Sequence, residues 1–129
     1  MARSSKWALW CLTLLLTPHT GAQTVLPEYP AGPLVIITHV DVIPQFTAPA
    51  IELLSDYQTE SRRDAGADRI EVLQQIGRPN HFTIEEKWND GNAYDKHVSA
   101  SHTREFRAKL QPMLGAPYDE RLHSIIGLK

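Results

Sequence analysis

From Leu34 to Val42 the chain alternates with a period of two. Leu34, Ile36, Thr38, Val40 and Val42 fall on one side of an extended segment; Val35, Ile37, His39 and Asp41 fall on the other. Both sides are apolar for most of the length, which predicts a strand covered on both faces. Pro44 ends it. The period then lengthens: Ile51, Leu54, Tyr57, Gln58 and Ser61 recur at helical spacing. Thr47 as cap, Pro49 and Glu52 in the first turn, and Arg62 and Arg63 near the end predict a helix over residues 47–64, closed by Ala65-Gly66-Ala67. Period two returns over residues 69–75, where Ile70 and Val72 alternate with Glu71 and Leu73. It returns again at Phe82, Ile84, Glu86 and Trp88, set against Thr83, Glu85 and Lys87. The turn residues Gly77-Arg78-Pro79-Asn80 between the two runs predict a hairpin.

Asn89-Asp90-Gly91-Asn92 breaks the third strand, and Asp90 is placed to cap a helix over residues 91–100. Its inner stripe is Ala93, Tyr94, His97, Val98 and Ser101. His102 sits where that helix bends or restarts. Phe106, Leu110 and Met113 carry a second helical piece over residues 103–114, which Gly115-Ala116-Pro117 stops, and residues 121–126 form the last short strand. The order strand, helix, strand, strand, helix, strand is the ferredoxin-like plan, an α+β fold with helices on one face of an antiparallel sheet. His39, Phe82, Ile84 and Trp88 cannot all lie behind two helices. Trp88 is therefore expected on the uncovered face, where a second copy packed sheet to sheet would close a two-chain barrel. There are no internal repeats or low-complexity tracts.

The amino terminus changes the picture of where this domain works. Arg3 and Lys6 precede the apolar run from Trp7 to Leu16, too short to span a bilayer as a helix, and Thr20-Gly21-Ala22 supplies small residues before a cut. Residues 1–22 read as a signal peptide cleaved after Ala22, which places the protein in the periplasm or outside the cell; an uncleaved anchor is the alternative. The lone cysteine, Cys11, lies inside this run, so a cleaved chain holds no disulfide. Residues 23–33, with Pro27, Pro30, Gly32 and Pro33, read as an extended lead-in. Residues 34–129 then make one domain. The whole chain has a formal charge of −2, and losing Arg3 and Lys6 makes it more negative. With no basic stripe, nucleic acid is not an expected partner.

Glu86-Lys87-Trp88, eight residues, His97, four residues, His102 and then Phe106 resemble the antibiotic biosynthesis monooxygenase family, which includes quinol monooxygenases. The resemblance spans Leu34 to Ile126. It implies a dimeric α/β barrel that oxygenates electron-rich phenols, hydroquinones or anthrones with O₂ and without metal, flavin or haem. In polyketide-tailoring members a tryptophan at the end of the third strand and a tyrosine six positions later line the pocket; Trp88 and Tyr94 match them. A pocket arginine of those members would fall near Ala108, to which Arg107 is adjacent. A haem-degrading branch has a tryptophan where this chain has His97 and a histidine ligand where it has Arg107, so haem degradation is not implied.

Oxygenation without a cofactor needs a base that generates an electron-rich anion, donors for the ring oxygens and an apolar wall. With the resemblance, His97, Trp88 and Tyr94 are the catalytic candidates; His39, Phe82, Glu86, His102 and Phe106 are the candidates for substrate contact. Each has a structural alternative. His97 could bond a backbone carbonyl in the core, and His102 could be a cap or packing residue. Trp88 and Tyr94 could simply cover the sheet, and Glu86 could pair with a cation across it. His39 rests on strand parity alone. His81, His97 and His102 lack the i, i+3 or i, i+4 spacing of a helical metal pair, so no metal is expected. Three functions stay open: a monooxygenase, a barrel that only binds a small hydrophobic ligand, and an isomerase using the same pocket for proton transfer.

Overall fold

A computed structural model of the chain describes residues 28–127; the expected signal peptide and the first part of the lead-in lie outside the described residues. Strand β1 spans Leu34–Asp41, and a 3-10 turn at Pro44–Phe46 leads into helix α1, Thr47–Ser61. The hairpin strands are β2, Ala67–Gln74, and β3, His81–Trp88. Helices α2, Gly91–Ser99, and α3, Ser101–Leu110, follow, then a 3-10 turn at Gln111–Met113 and strand β4, Asp119–Ser124. The sheet order is β2-β3-β1-β4, and every neighbouring pair is antiparallel. This is the ferredoxin-like βαββαβ plan expected from the periodicity.

All three helices lie on the face that carries Leu34, Ile36, Thr38, Val40 and Val42. The register pairs Leu34 with Trp88, Ile36 with Glu86 and Thr38 with Ile84, so the alternate residues of β3 join the same face. Under α1 and α3, Val40, Val42, Leu54, Tyr57, Phe82, Ile84, Phe106 and Leu110 form one core cluster. Leu34, Ile36, Ile70, Trp88, Ala93 and Tyr94 form a second, beneath α2.

This overturns the expected placement of Trp88. Trp88 is 0% exposed within a single chain, and Phe82 and Ile84 are buried beside it. Of the four residues expected to compete for cover, only His39 lies on the outer face, with Val35, Ile37, Thr83, Glu85 and Lys87. Strand parity tells which side chains share a face, but not which face the helices take. The second helical stretch divides into α2 and α3, with Ala100 extended between them, and α2 covers the Trp88 end of the sheet.

Smaller departures follow from local geometry. Thr47 is the first residue of α1 rather than its cap, and its hydroxyl donates to Pro44 O at 2.7 Å. Ile51 is half exposed on the outer side of α1, and Ser101 is exposed because α2 ends two residues earlier. The lead-in does more than tether. The Tyr29 ring packs edge-on to Tyr94, and its hydroxyl donates to Asp95 at 2.7 Å. Gly91 is required for this seat, because a Cβ there would collide with the Tyr29 ring.

Candidate active site: a buried chain of acid–base groups

Three local features converge on His97. Asp90 caps α2 by accepting from Ala93 N at 2.8 Å, which fixes the helix start just after Trp88. Gly66, at φ +88°, turns the chain out of α1; its carbonyl accepts from Asn89 N at 2.9 Å, and a Cβ would strike Ala93. That contact holds the end of α1, with Asp64, against α2. Finally, Ala100 is extended between α2 and α3, at φ −66° and ψ 149°. The break brings the His97 and His102 rings to 5.6 Å between centroids.

His97 is 1% exposed and bonded at both ring nitrogens. Nδ1 lies 2.7 Å from Asp64 Oδ2, and Nε2 lies 2.9 Å from the Tyr57 hydroxyl oxygen. The Tyr57 hydroxyl hydrogen-bonds to Glu86 Oε1. The other Glu86 oxygen accepts from Trp88 Nε1–H at 3.2 Å. Trp88 closes back on His97 with ring centroids 4.5 Å apart, while Phe106 stacks on Tyr57 at 4.0 Å. Asp64, His97, Tyr57, Glu86 and Trp88 are therefore one continuous hydrogen-bonded chain. Only its Asp64 end reaches solvent to any extent.

Counting hydrogens shows what this chain can do. The Tyr57 oxygen makes two contacts, and its one hydrogen satisfies one of them. If Tyr57 donates to Glu86, His97 needs a hydrogen on Nε2 as well as on the Nδ1 that faces Asp64. If Tyr57 donates to His97, Glu86 needs a hydrogen to donate to Tyr57. The two arrangements hold the same number of protons and interchange when two hydrogens shift along the chain. With one proton fewer, His97 Nε2 and the Tyr57 oxygen face each other as acceptors, with only a long contact from the Thr103 hydroxyl, 3.3 Å from Nδ1 and 3.5 Å from Nε2, beside them. A proton taken from a bound molecule relieves that conflict.

A second network adjoins the first. The Tyr94 hydroxyl donates to Glu120 Oε1 at 2.7 Å, Arg107 donates to Glu120 Oε2 at 2.6 Å, and the Arg107 guanidinium sits 5.4 Å from the Tyr118 ring centroid. Burial works against the Arg107 charge, but Glu120 and the surrounding phenols outweigh it and hold its pKa above the ordinary value.

Burial, reinforced by Glu86, pushes the Tyr57 phenol well above the ordinary tyrosine range. Burial and the bond to Glu120 do the same for Tyr94. The native state thus keeps protons that the unfolded chain releases above pH ~10. Stability from these phenols is whole below that pH and is lost as pH rises toward their folded values. Each should lower the unfolding free energy by about 1.4 kcal/mol per pH unit above pH ~10, and Tyr57→Phe should remove its share of that slope. Denaturant melts across this range check it; a stability that stays flat to about pH 11.5 would contradict the buried placement.

Of the residues singled out from sequence, His97, Trp88, Glu86 and Phe106 come together in the first chain, and Tyr94 joins through its ring, 6.4 Å from both Trp88 and His97. His102 flanks them, with Nε2 3.0 Å from Asp64 Oδ2. His39 does not belong: it is exposed on the outer sheet face, near Thr83. Phe82 shares the inner face but sits at the far end of β3 and lines a different cavity of about 210 Å³, with Ile51, Gln58 and Val72. Glu86 faces inward to Tyr57 and Trp88 rather than pairing with a cation across the sheet. Tyr57, Asp64, Thr103, Arg107 and Glu120 were missed as site residues. The available signals were a polar tip on the inner stripe of α1 for Tyr57 and a carboxylate at the end of that helix for Asp64. The spacing argument against a metal also fails to decide the matter: His81 pairs with Asp41 elsewhere, but Asp64 joins His97 and His102 from a distant segment.

Comparison with known proteins bears on this arrangement. The sequence profile of the antibiotic biosynthesis monooxygenase family matches residues 33–109. YcnE of Bacillus subtilis (strain 168), provisionally named a monooxygenase, is 34% identical over 71 residues, which cover 53% of this chain and 75% of that protein. Among solved structures, Rv0793 from Mycobacterium tuberculosis superposes with a TM-score of 0.70 at 18% identity, covering 74% of this chain and 97% of its own. A conserved protein from Methanosarcina mazei Go1 superposes with a TM-score of 0.68 at 20% identity, covering 71% and 91%. Both share the fold.

Proposed function

The chain belongs to the antibiotic biosynthesis monooxygenase family, and from that premise we propose that it oxygenates a small electron-rich phenol with O₂, using no flavin, haem or metal in the reaction. The observation that carries this reading is the buried Asp64–His97–Tyr57–Glu86 chain, whose contacts can hold a proton in either of two arrangements. O₂ is a triplet and reacts slowly with closed-shell molecules. A phenolate can pass it one electron, after which the radical pair recombines into a peroxide on the substrate carbon. Loss of water leaves a carbonyl. One oxygen atom enters the product, the other leaves as water, and the substrate supplies all the electrons. The phenolic proton enters the relay through Tyr57, the member that lines the adjoining groove, and is shared with His97, which Asp64 holds, and with Glu86.

The groove between α1 and α3 supports a small substrate. It measures about 130 Å³ and is lined by Tyr57, His102 and Phe106 among others. That is less than the ~150 Å³ of a closed cavity that takes up benzene, so the open groove suits one face or edge of a single-ring hydroquinone and disfavours a fused anthrone. The Trp88 N–H and Tyr94 O–H are already engaged by Glu86 and Glu120. They hold the relay in place rather than waiting for ring oxygens. The same relay serves an isomerase, and oxygen uptake separates the two. An oxygen electrode with chelator-treated protein and a panel of hydroquinones and phenols should register consumption above buffer. Product without uptake would favour the isomerase, and neither would favour a binding barrel.

The outer sheet face and the β4 edge suit a homodimer. Val35 and Ile37 are central on that face, and Leu122, Ile125 and Ile126 stand exposed along and beyond β4. Light scattering should find twice the mass of one chain at micromolar concentration; a single-chain mass would overturn the dimer and leave the relay untouched. The protein is proposed to act after export, in the periplasm or outside the cell.

A further inference from the structure

We propose that Asp64, His97 and His102 form a binding site for a divalent transition-metal ion, distinct from the proton relay in function although it shares Asp64 and His97. One ligand atom from each residue lies within 4.8 Å of the others. Asp64 Oδ2 is 2.7 Å from His97 Nδ1 and 3.0 Å from His102 Nε2. Metal–ligand bonds of ~2.0–2.1 Å at tetrahedral angles set ligand atoms about 3.3 Å apart, so small shifts of the Asp64 carboxylate and of the two rings admit the ion. Two imidazoles and one carboxylate are a donor set that suits zinc, cobalt, nickel or iron(II) and leaves open positions for water.

The geometry of His102 points the same way. Its Nε2 is buried and close to Asp64 Oδ2, yet it is not aligned to hydrogen-bond with that oxygen, and no other partner among the described residues meets it. A ring nitrogen so placed directs its lone pair beside the carboxylate rather than at it. The α2–α3 break and the Gly66 turn hold all three ligands on separate, well-anchored segments. The ion also has a way in. The groove that contains His102 is rimmed by Asp56, Glu60 and Glu105, whose charge draws cations, against the single Lys109.

Occupancy would reset the relay. A metal on His97 Nδ1 requires a hydrogen on Nε2, which then donates to Tyr57, and the ring can accept nothing further. The site is therefore inhibitory in character: a bound ion removes the base. The binding inference rests on geometry alone, so its failure and the failure of the oxygenase reading are separate results.

The test uses the full chain, purified without a polyhistidine tag, stripped with chelator and titrated with Co²⁺ and Zn²⁺. One equivalent of Co²⁺ should bind and give the visible d–d bands of a low-symmetry nitrogen and oxygen centre, and Zn²⁺ should displace it. Loss of a group that merely orients a ligand costs ~10–100-fold in affinity, so His102→Ala and Asp64→Asn should weaken binding at least that much, while His81→Ala should not change it. Because a variant could bind poorly by misfolding, ring signals of wild-type histidines give an independent reading. Co²⁺ should shift or broaden His97 and His102 and spare His39 and His81. No binding, binding unaffected by His102→Ala and Asp64→Asn, or perturbation confined to the other histidines would overturn the site.

Discussion

Replacing His97 by alanine is expected to lower the rate of substrate-dependent O₂ consumption by about 100- to 10,000-fold, the range that a positioned acid–base group contributes. The argument runs through the proton count. Without the ring, Tyr57 and Glu86 still bond one another, but the link to Asp64 is gone and a substrate proton has nowhere to be shared. The pH profile of the rate should differ between the wild type and His97→Ala, because the ring is one of the groups that hold the moving proton. Tyr57→Phe is the sharper variant, because the ring stacked on Phe106 is kept and only the hydroxyl joining His97 to Glu86 is lost. It should lower kcat more than it raises KM, since it removes a group needed when the proton moves. His97→Ala with wild-type activity and an unchanged pH profile would take His97 out of the chemistry.

Trp88→Ala is expected to cost about 3–5 kcal/mol of stability, as removal of a fully buried large aromatic usually does. Trp88 lies between the sheet and α2 within one chain, so the loss should be the same at every protein concentration. Had Trp88 been at the dimer face, the loss would grow with dilution. Trp88→Phe separates packing from hydrogen bonding: it keeps most of the apolar contact but leaves Glu86 Oε2 without its donor, at a cost of ~1–3 kcal/mol. Thermal and denaturant melts at two concentrations decide the matter.

The element order was legible because each apolar run has a clean period and a chemical stop, as at Pro44, Gly66 and Gly115. The Asp90 cap was legible for the same reason, since Asp90 lies three residues before Ala93, whose N–H it accepts from. The side of the sheet taken by Trp88 was not, because parity is symmetric between the two faces until a helix chooses one. The relay was half legible. His97, Trp88 and Glu86 sit in one continuous stretch, whereas Asp64 and Tyr57 meet His97 across 33 and 40 residues. No local periodicity encodes such pairings. The parity argument for His39 failed in the opposite way: it placed the residue with Val35 and Ile37 correctly, on the face where the site is not.

The measurement that tests the central claim most directly is isotope transfer. Chelator-treated protein is given ¹⁸O₂ and the hydroquinone or phenol that elicits the fastest uptake, and the product is weighed by mass spectrometry. The expected result is a single ¹⁸O atom in the product, one O₂ consumed for each product formed, and the second atom recovered as water. Loss of the label by His97→Ala should parallel the loss of rate. An unlabelled product, or hydrogen peroxide accounting for all the reduced oxygen, would contradict a monooxygenase built on this proton relay.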